Sequence, residues 1–462
     1  MSDERVSELI QEAARMRYSR RGALKRAAAL GLSVPAVSAA FAASAGAAPR
    51  SRIFGKAPAY LQGTSLNILA GSYFVPAAAE HFTQRAQAWG AENNVEVSVD
   101  YINWPDIQTR IGSAVSGGAG PDVIEFRDTW PYLYYENMVD LNDLATRIGQ
   151  ERGGYYDWVT NTASVDGYWY SIPVGTSASA YAYRMSYLDQ VGVTTFPATW
   201  EELFAVGKEL KAIGKPIGQG LGHSTGDPPG FAYPYMWSYG AMEVGEDGEI
   251  AFHTDEFVAA MTTFIQGWKD AFDETGLAWD DSANNRAFLS DQLAITMNGS
   301  SVYIQAQKDK LEKPNEAVVD PADINHAGLP SGPAGRFNVL GSWSYGVMKY
   351  SDNQEAGTAF LEWWIGSPEY QDWLEAQQGY IIPPVAQLAT LPVYTEDPKL
   401  APYLDVVNYG RNKGFAGPAN QQAAQVSSNY VVVDTFAQAI QSGDAEGAIQ
   451  RGAQLLERIY SR

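Results

Sequence analysis

The chain has 462 residues, a formal net charge of −21, no cysteine, 13 Trp and 27 Tyr. Without cysteine it can form no disulfide, thiolate metal site, cysteine nucleophile, iron–sulfur cluster or lipid anchor on an N-terminal cysteine. A surface this acidic also opposes nucleic acid and anionic membranes, whose phosphates need clustered Lys and Arg.

The first element in chain order is an export leader. Ser19-Arg20-Arg21-Gly22-Ala23-Leu24-Lys25 is a paired-arginine motif. An Ala-rich run from Ala27 to Ala45 follows it, with Ala-x-Ala cleavage patterns near its end. That run, with Gly31, Ser33 and Pro35, is too weakly apolar for a transmembrane helix. Residues 1–45 therefore read as a twin-arginine signal peptide and residues 46–63 as a disordered tether. The mature chain then carries 25 basic and 49 acidic residues, a net of −24. It is expected to fold in the reducing cytoplasm and to work as a soluble periplasmic or extracellular monomer. About 417 mature residues exceed one ordinary core and favour two lobes.

Leu66–Ala70 reads as a strand, and Phe82, Ala86 and Trp89 mark one face of the helix after it. Val95, Val97, Val99 and Tyr101 alternate as in a half-buried strand. Ile107, Ile111 and Ala114/Val115 then give a second helix, and Pro121–Phe126 a third strand. This βαβαβ order predicts a parallel sheet with its ligand site beyond the strands' carboxyl ends. Those ends are Gly71–Phe74, Asn103-Trp104 and Arg127–Trp130, and each carries an aromatic residue. Thr199 is placed to cap a helix over Trp200–Ala212, with acidic residues in its first turn. Ala356, Phe360, Trp363 and Trp364 share a helical face, another helix starts at Ser367-Pro368-Glu369, and a last one covers about Ala445–Tyr460. Trp363, Trp364 and Trp373 read as core.

Several segments carry a resemblance. They are Gly118–Ile124, Asp166-Gly167-Tyr168-Trp169-Tyr170-Ser171-Ile172-Pro173, Tyr183-Arg184 with Pro197–Leu203, Ala287–Ile295 and Gly328–Pro333. In this order they resemble motifs of the extracellular sugar-binding proteins of ATP-driven importers, the class that includes the maltose-binding protein. The resemblance implies an α/β, two-lobed periplasmic-binding-protein fold of type II, each lobe a sheet flanked by helices. Three crossings are expected, near Ile172–Ala178, Leu340–Val347 and Val393–Leu400. One lobe would comprise 64–175 and 346–395, the other 176–345 and 396–462. A sugar or polyol would bind between them, close the hinge and be handed to the permease subunits of an ABC importer.

Rings of Trp and Tyr stack on sugar faces while Asp, Asn and Arg read hydroxyls. Candidate ligand contacts are Tyr73, Phe74, Trp104, Arg127, Asp128 and Trp130 from the first lobe. His223, Trp237, Tyr239 and Asn298 are those of the second, and Trp343, Tyr345 and Tyr380 come from the crossing and the segment after it. A polyamine or betaine is the alternative ligand, since aromatic boxes also hold cations. Asp280–Asn285 lacks the Gly and terminal Glu of a calcium loop and reads as a cap or turn. The tyrosine pairs 134–135 and 155–156 lack the supporting ligands of an iron site. No metal or cofactor is expected. Nothing positions a carboxylate pair for glycoside hydrolysis, and Gly299-Ser300-Ser301 and Gly341–Ser344 are not nucleophile elbows. The sequence gives no case for an enzyme.

Overall fold

The structure is a computed structural model that describes residues 63–461. The leader and nearly all of the tether lie outside the described residues. Fourteen strands follow in chain order among these residues. They are β1 (Ser65–Gly71), β2 (Glu96–Ile102), β3 (Val123–Arg127), β4 (Ser164–Val165), β5 (Tyr168–Trp169), β6 (Ile172–Ser177) and β7 (Ala180–Arg184). Then come β8 (Ile217–Gly218), β9 (Ile295–Asn298), β10 (Ile324–Ala327), β11 (Asn338–Val339), β12 (Trp343–Val347), β13 (Ile381–Ile382) and β14 (Gly410–Arg411).

The βαβαβ unit is present: β1 pairs in parallel with both β2 and β3, joined by helices over Pro76–Asn93 and Trp104–Gly117. Ala78, Phe82, Ala86 and Trp89 form the buried stripe of the first helix. β2 is an edge strand, so Val97 is buried while Val99 and Tyr101 are only half-buried.

Two sheets organise the protein, one of six strands in the order β13-β6-β12-β3-β1-β2 and one of four in the order β10-β7-β9-β8. The chain leaves the large sheet after β6 and enters the small one at β7. It returns through β11, which pairs with β14, and β12, which lies antiparallel between β3 and β6. β3 and β12 are buried along their whole length, as expected of central strands covered on both faces. The folded chain is a two-lobed α/β protein.

The helix over Trp200–Ala212 shows how local signals fix an element. Thr199 accepts from the Glu202 N–H at 3.3 Å and the Glu202 carboxylate reaches back to the Thr199 N–H at 3.2 Å, a complete capping box. Asp280 likewise accepts from the N–H groups of Ser282 and Ala283 at the start of the helix over Ala283–Leu289. The helices over Pro368–Ala376 and Ala445–Tyr460 begin where the sequence places them. Trp364 and Trp373 are buried, and half-buried Trp363 packs on the same core.

Candidate functional site

Alternation along β3 puts Val123, Glu125 and Arg127 on one face. Its antiparallel neighbour β12 places Tyr345 opposite Glu125 and Trp343 opposite Arg127. At the carboxyl end of β3 the Arg127 guanidinium therefore lies between two indoles, 4.3 Å from the Trp104 ring centre and 4.4 Å from that of Trp343. Its Nη1 donates to the Thr225 hydroxyl at 2.8 Å. Thr225 precedes the helix over Asp227–Ser238, which packs on the small sheet, so this bond joins the lobes. Arg127 is 5% exposed and has no carboxylate within ion-pair distance among the described residues. The paired rings are its main compensation for burial.

Beside it, Asp128 pairs with Lys413 at 2.6 Å, both side chains being largely buried. Asp128 adopts a left-handed φ of 49°. A Cβ on Gly341 would fall 2.2 Å from the Asp128 carboxylate, so only glycine fits there. Across the gap, Asp227 is buried and its carboxylate accepts from the Asn284 amide at 2.7 Å. Burial, reinforced by the nearby Asp281 carboxylate, pushes the Asp227 carboxyl well above its ordinary range. Asp281 accepts from the N–H groups of Gly226 and Asp227 at 3.0 and 2.8 Å.

These groups enclose a cavity between the sheets of about 50 Å³, room for a few waters. Phe74, Arg127, Asp128, Asn298, Trp343 and Tyr380 of the sequence candidates line it. Burial raises the Tyr380 hydroxyl's pKa, so it faces this space as a neutral phenol.

The other candidates lie elsewhere. Tyr73 and Tyr345 join hydroxyls at 2.8 Å beneath the site, and Tyr73 also contacts Glu125 at 3.3 Å. Trp104 is buried and reaches the cavity only through Arg127. Trp130 lines a small side recess with Lys413 and Tyr430. Trp237 is fully buried in the second lobe's core, and the Tyr239 hydroxyl is held by Glu201 at 2.5 Å. His223 stacks on Tyr430 at 4.4 Å and bonds Asp434 at 2.7 Å on the exterior. The cavity lining also includes Thr176, Ser177, Ser179, Thr225, Asp227, Asp281 and Lys413, which were not among the candidates. Thr176 and Ser177 fall in the expected first crossing, and that position was their one usable signal. Lys413 lies 285 positions from Asp128 and shows no local pattern.

Glu125 lies under this floor, fully buried, accepting from the Gly71 N–H at 3.0 Å. Burial pushes its carboxyl up to about 8 against the partial relief of that bond and of Arg127. Among the described residues no cluster of three His, Asp or Glu is arranged to hold a metal ion, and no helix is long and apolar enough to cross a membrane.

A polar and aromatic cavity walled by two α/β lobes, at the carboxyl ends of the strands, defines a cleft-binding protein. Residues 78–402 match the bacterial extracellular solute-binding protein family, and the chain belongs to it. A putative binding protein of Brucella abortus is 23% identical over 76% of this chain and 83% of its own length. Maltose-bound MalE3 of T. maritima superposes with a TM-score of 0.73 at 18% identity, over 86% of this chain and all of that one. A solute-binding protein of Thermotoga lettingae bound to α-D-tagatose gives 0.74 at 16% identity, over 86% and 100%.

Proposed function

We propose that the protein captures a sugar or polyol between its lobes and delivers it to the permease subunits of an ABC importer, after export by the twin-arginine route. The observation that carries the ligand class is Arg127, buried between two indoles with donors left over beside a cavity of hydroxyls and amides. Directed donors and acceptors flanked by aromatic walls are the chemistry a polyhydroxylated, uncharged molecule needs. The structural relatives' sugars point the same way.

In this reading Phe74 and Tyr380 supply ring faces, Trp343 holds Arg127 in place, and Arg127, Asp128, Asn298 and Thr225 read hydroxyls. A cationic solute is the second reading, favoured by the three aspartates at the cavity. Each is already engaged: Asp128 by Lys413, Asp281 by two backbone N–H groups, and Asp227 by Asn284 in an environment that favours its neutral form. Their engagement supports the uncharged ligand. The reading assigns no catalytic step to any residue.

A thermal-shift screen over sugars, polyols, polyamines and betaine tests the assignment. A ligand that binds only the folded chain raises Tm by linkage. A shift with a polyamine or betaine, and none with sugars or polyols, would overturn it. Export is tested by replacing Arg20 and Arg21 with Lys and following the chain's compartment. Unchanged export would remove the twin-arginine route.

A further inference from the structure

A second and larger space lies beyond the segment that carries Lys413. It is a groove of about 790 Å³, within the ~300–1,000 Å³ of small-molecule sites. One wall comes from the helix over Asp157–Ala163 and the β4–β5 hairpin, the other from β14 and the loop after it. Asp166 and Gly167 form the hairpin's two-residue turn at φ of 51° and 82°, a pair of positive values that Asp-Gly supplies at little cost. The turn makes one rim of the groove.

The lining repeats the chemistry of the main cavity. Tyr156 and Trp158 stack at 5.7 Å and 17° between planes, leaving Tyr156 half-exposed along the wall. Trp158 is 7% exposed and its indole N–H, buried, has no hydrogen-bond partner. Asn161, Asp166, Arg411 and Asn412 add amide, carboxylate and guanidinium groups. The walls are linked at Asn412, whose amide donates to the Trp158 carbonyl at 3.3 Å and whose oxygen accepts from Asn161 at 3.3 Å. Asn412 and Lys413 are consecutive, so the same strap faces the groove with one residue and Asp128 with the next.

We propose that this groove is a second saccharide-binding site, which holds outer units of a glycan longer than a disaccharide and forms only when the lobes close. The proposal rests on the saccharide reading of the main cleft. Tyr156 offers the ring face, and Asn161 and Asp166 read hydroxyls. Because both walls must be in place, a long chain gains contacts from closure that a short one does not.

Calorimetry with maltose, maltohexaose, laminaribiose and laminarihexaose tests this on the wild-type chain and on Y156A and N161A. Asn161 is exposed, so N161A is not a folding risk. The expected result is that one hexasaccharide binds tighter than its disaccharide. Each variant should cost the hexasaccharide about threefold to tenfold, the range of one stacked ring or hydrogen bond, with the disaccharide changed less than twofold. Equal binding of short and long chains, or equal losses for both, overturns the groove and leaves the main-cleft reading standing. Binding of a polyamine with none of the four saccharides overturns both.

Discussion

Replacing Lys413 with Met removes the ammonium and keeps most of the side chain's bulk. In the closed protein this leaves the Asp128 carboxylate without its 2.6 Å partner in a site where its side chain is 14% exposed. Breaking a buried pair from one side costs about 3–5 kcal/mol, because the surviving charge has lost its compensation. Here the cost has an escape that a core ion pair lacks. Opening the lobes exposes Asp128 to water, so the penalty falls on closure rather than on folding. At the lower figure, about 3 kcal/mol shifts the closed-to-open ratio roughly a hundredfold toward open.

The absence of cysteine makes the measurement direct, since two introduced cysteines are the only labelling sites. Exposed Arg110 and Lys208 place one spin label on each lobe. Pulsed dipolar spectroscopy of K413M without ligand should show a longer, broader distance distribution than the wild type, with Tm within a few degrees. D128N/K413M, which removes the stranded charge, should recover part of the closed population. An unchanged distance distribution together with a large fall in Tm would refute the reasoning, because Asp128–Lys413 would then support the fold and not the closure.

Other consequences are equally checkable. Arg127→Lys keeps the charge but loses the planar fork between the two indoles, and should weaken ligand binding by at least tenfold in calorimetry; retention of affinity would show that the guanidinium reads nothing. Gly341→Ala drives a methyl into the Asp128 carboxylate, and should open the lobes much as K413M does in the same spin-label assay. Glu125 keeps its proton in the folded protein up to about pH 8, whereas an unfolded carboxyl titrates near 4.5. Its contribution is thus complete below about pH 4.5 and is lost as pH rises through 8, a fall of at most about 5 kcal/mol. Glu125→Gln should flatten that part of the urea-unfolding profile, and an unchanged slope would place the effect on other groups. Thr199→Ala breaks the capping box and should lower unfolding stability by about 1 kcal/mol without altering ligand affinity.

How much of this was legible in the sequence follows from the range of the forces involved. The βαβαβ unit could be read because its evidence is local: alternation in β2, a three-to-four spacing in the helices, turns between them. The Thr199 cap could be read for the same reason. The cleft could be placed because strand ends follow from strand order. What aromatic composition could not do was separate site from core. Trp237 and Tyr239 lie at the end of a helix whose twelve residues from Asp227 to Ser238 are all buried, and a fully buried helix has no polar face to betray which rings point inward. Tyr345 sits on a central strand where both faces are covered. In contrast, Val123-Ile124-Glu125-Phe126-Arg127 interrupts a buried apolar strand with two ionisable side chains, and polar groups in such a place have to be compensated. The compensation proved to be two phenols and a backbone N–H for one and two indoles for the other, supplied by strands and loops as far away as Tyr345, 220 positions from Glu125. That distance is why Lys413 and the second groove escaped the sequence. It also indicates which signal to weigh in chains of this kind: the ionisable residue inside a buried strand marks the site more sharply than the count of rings around it.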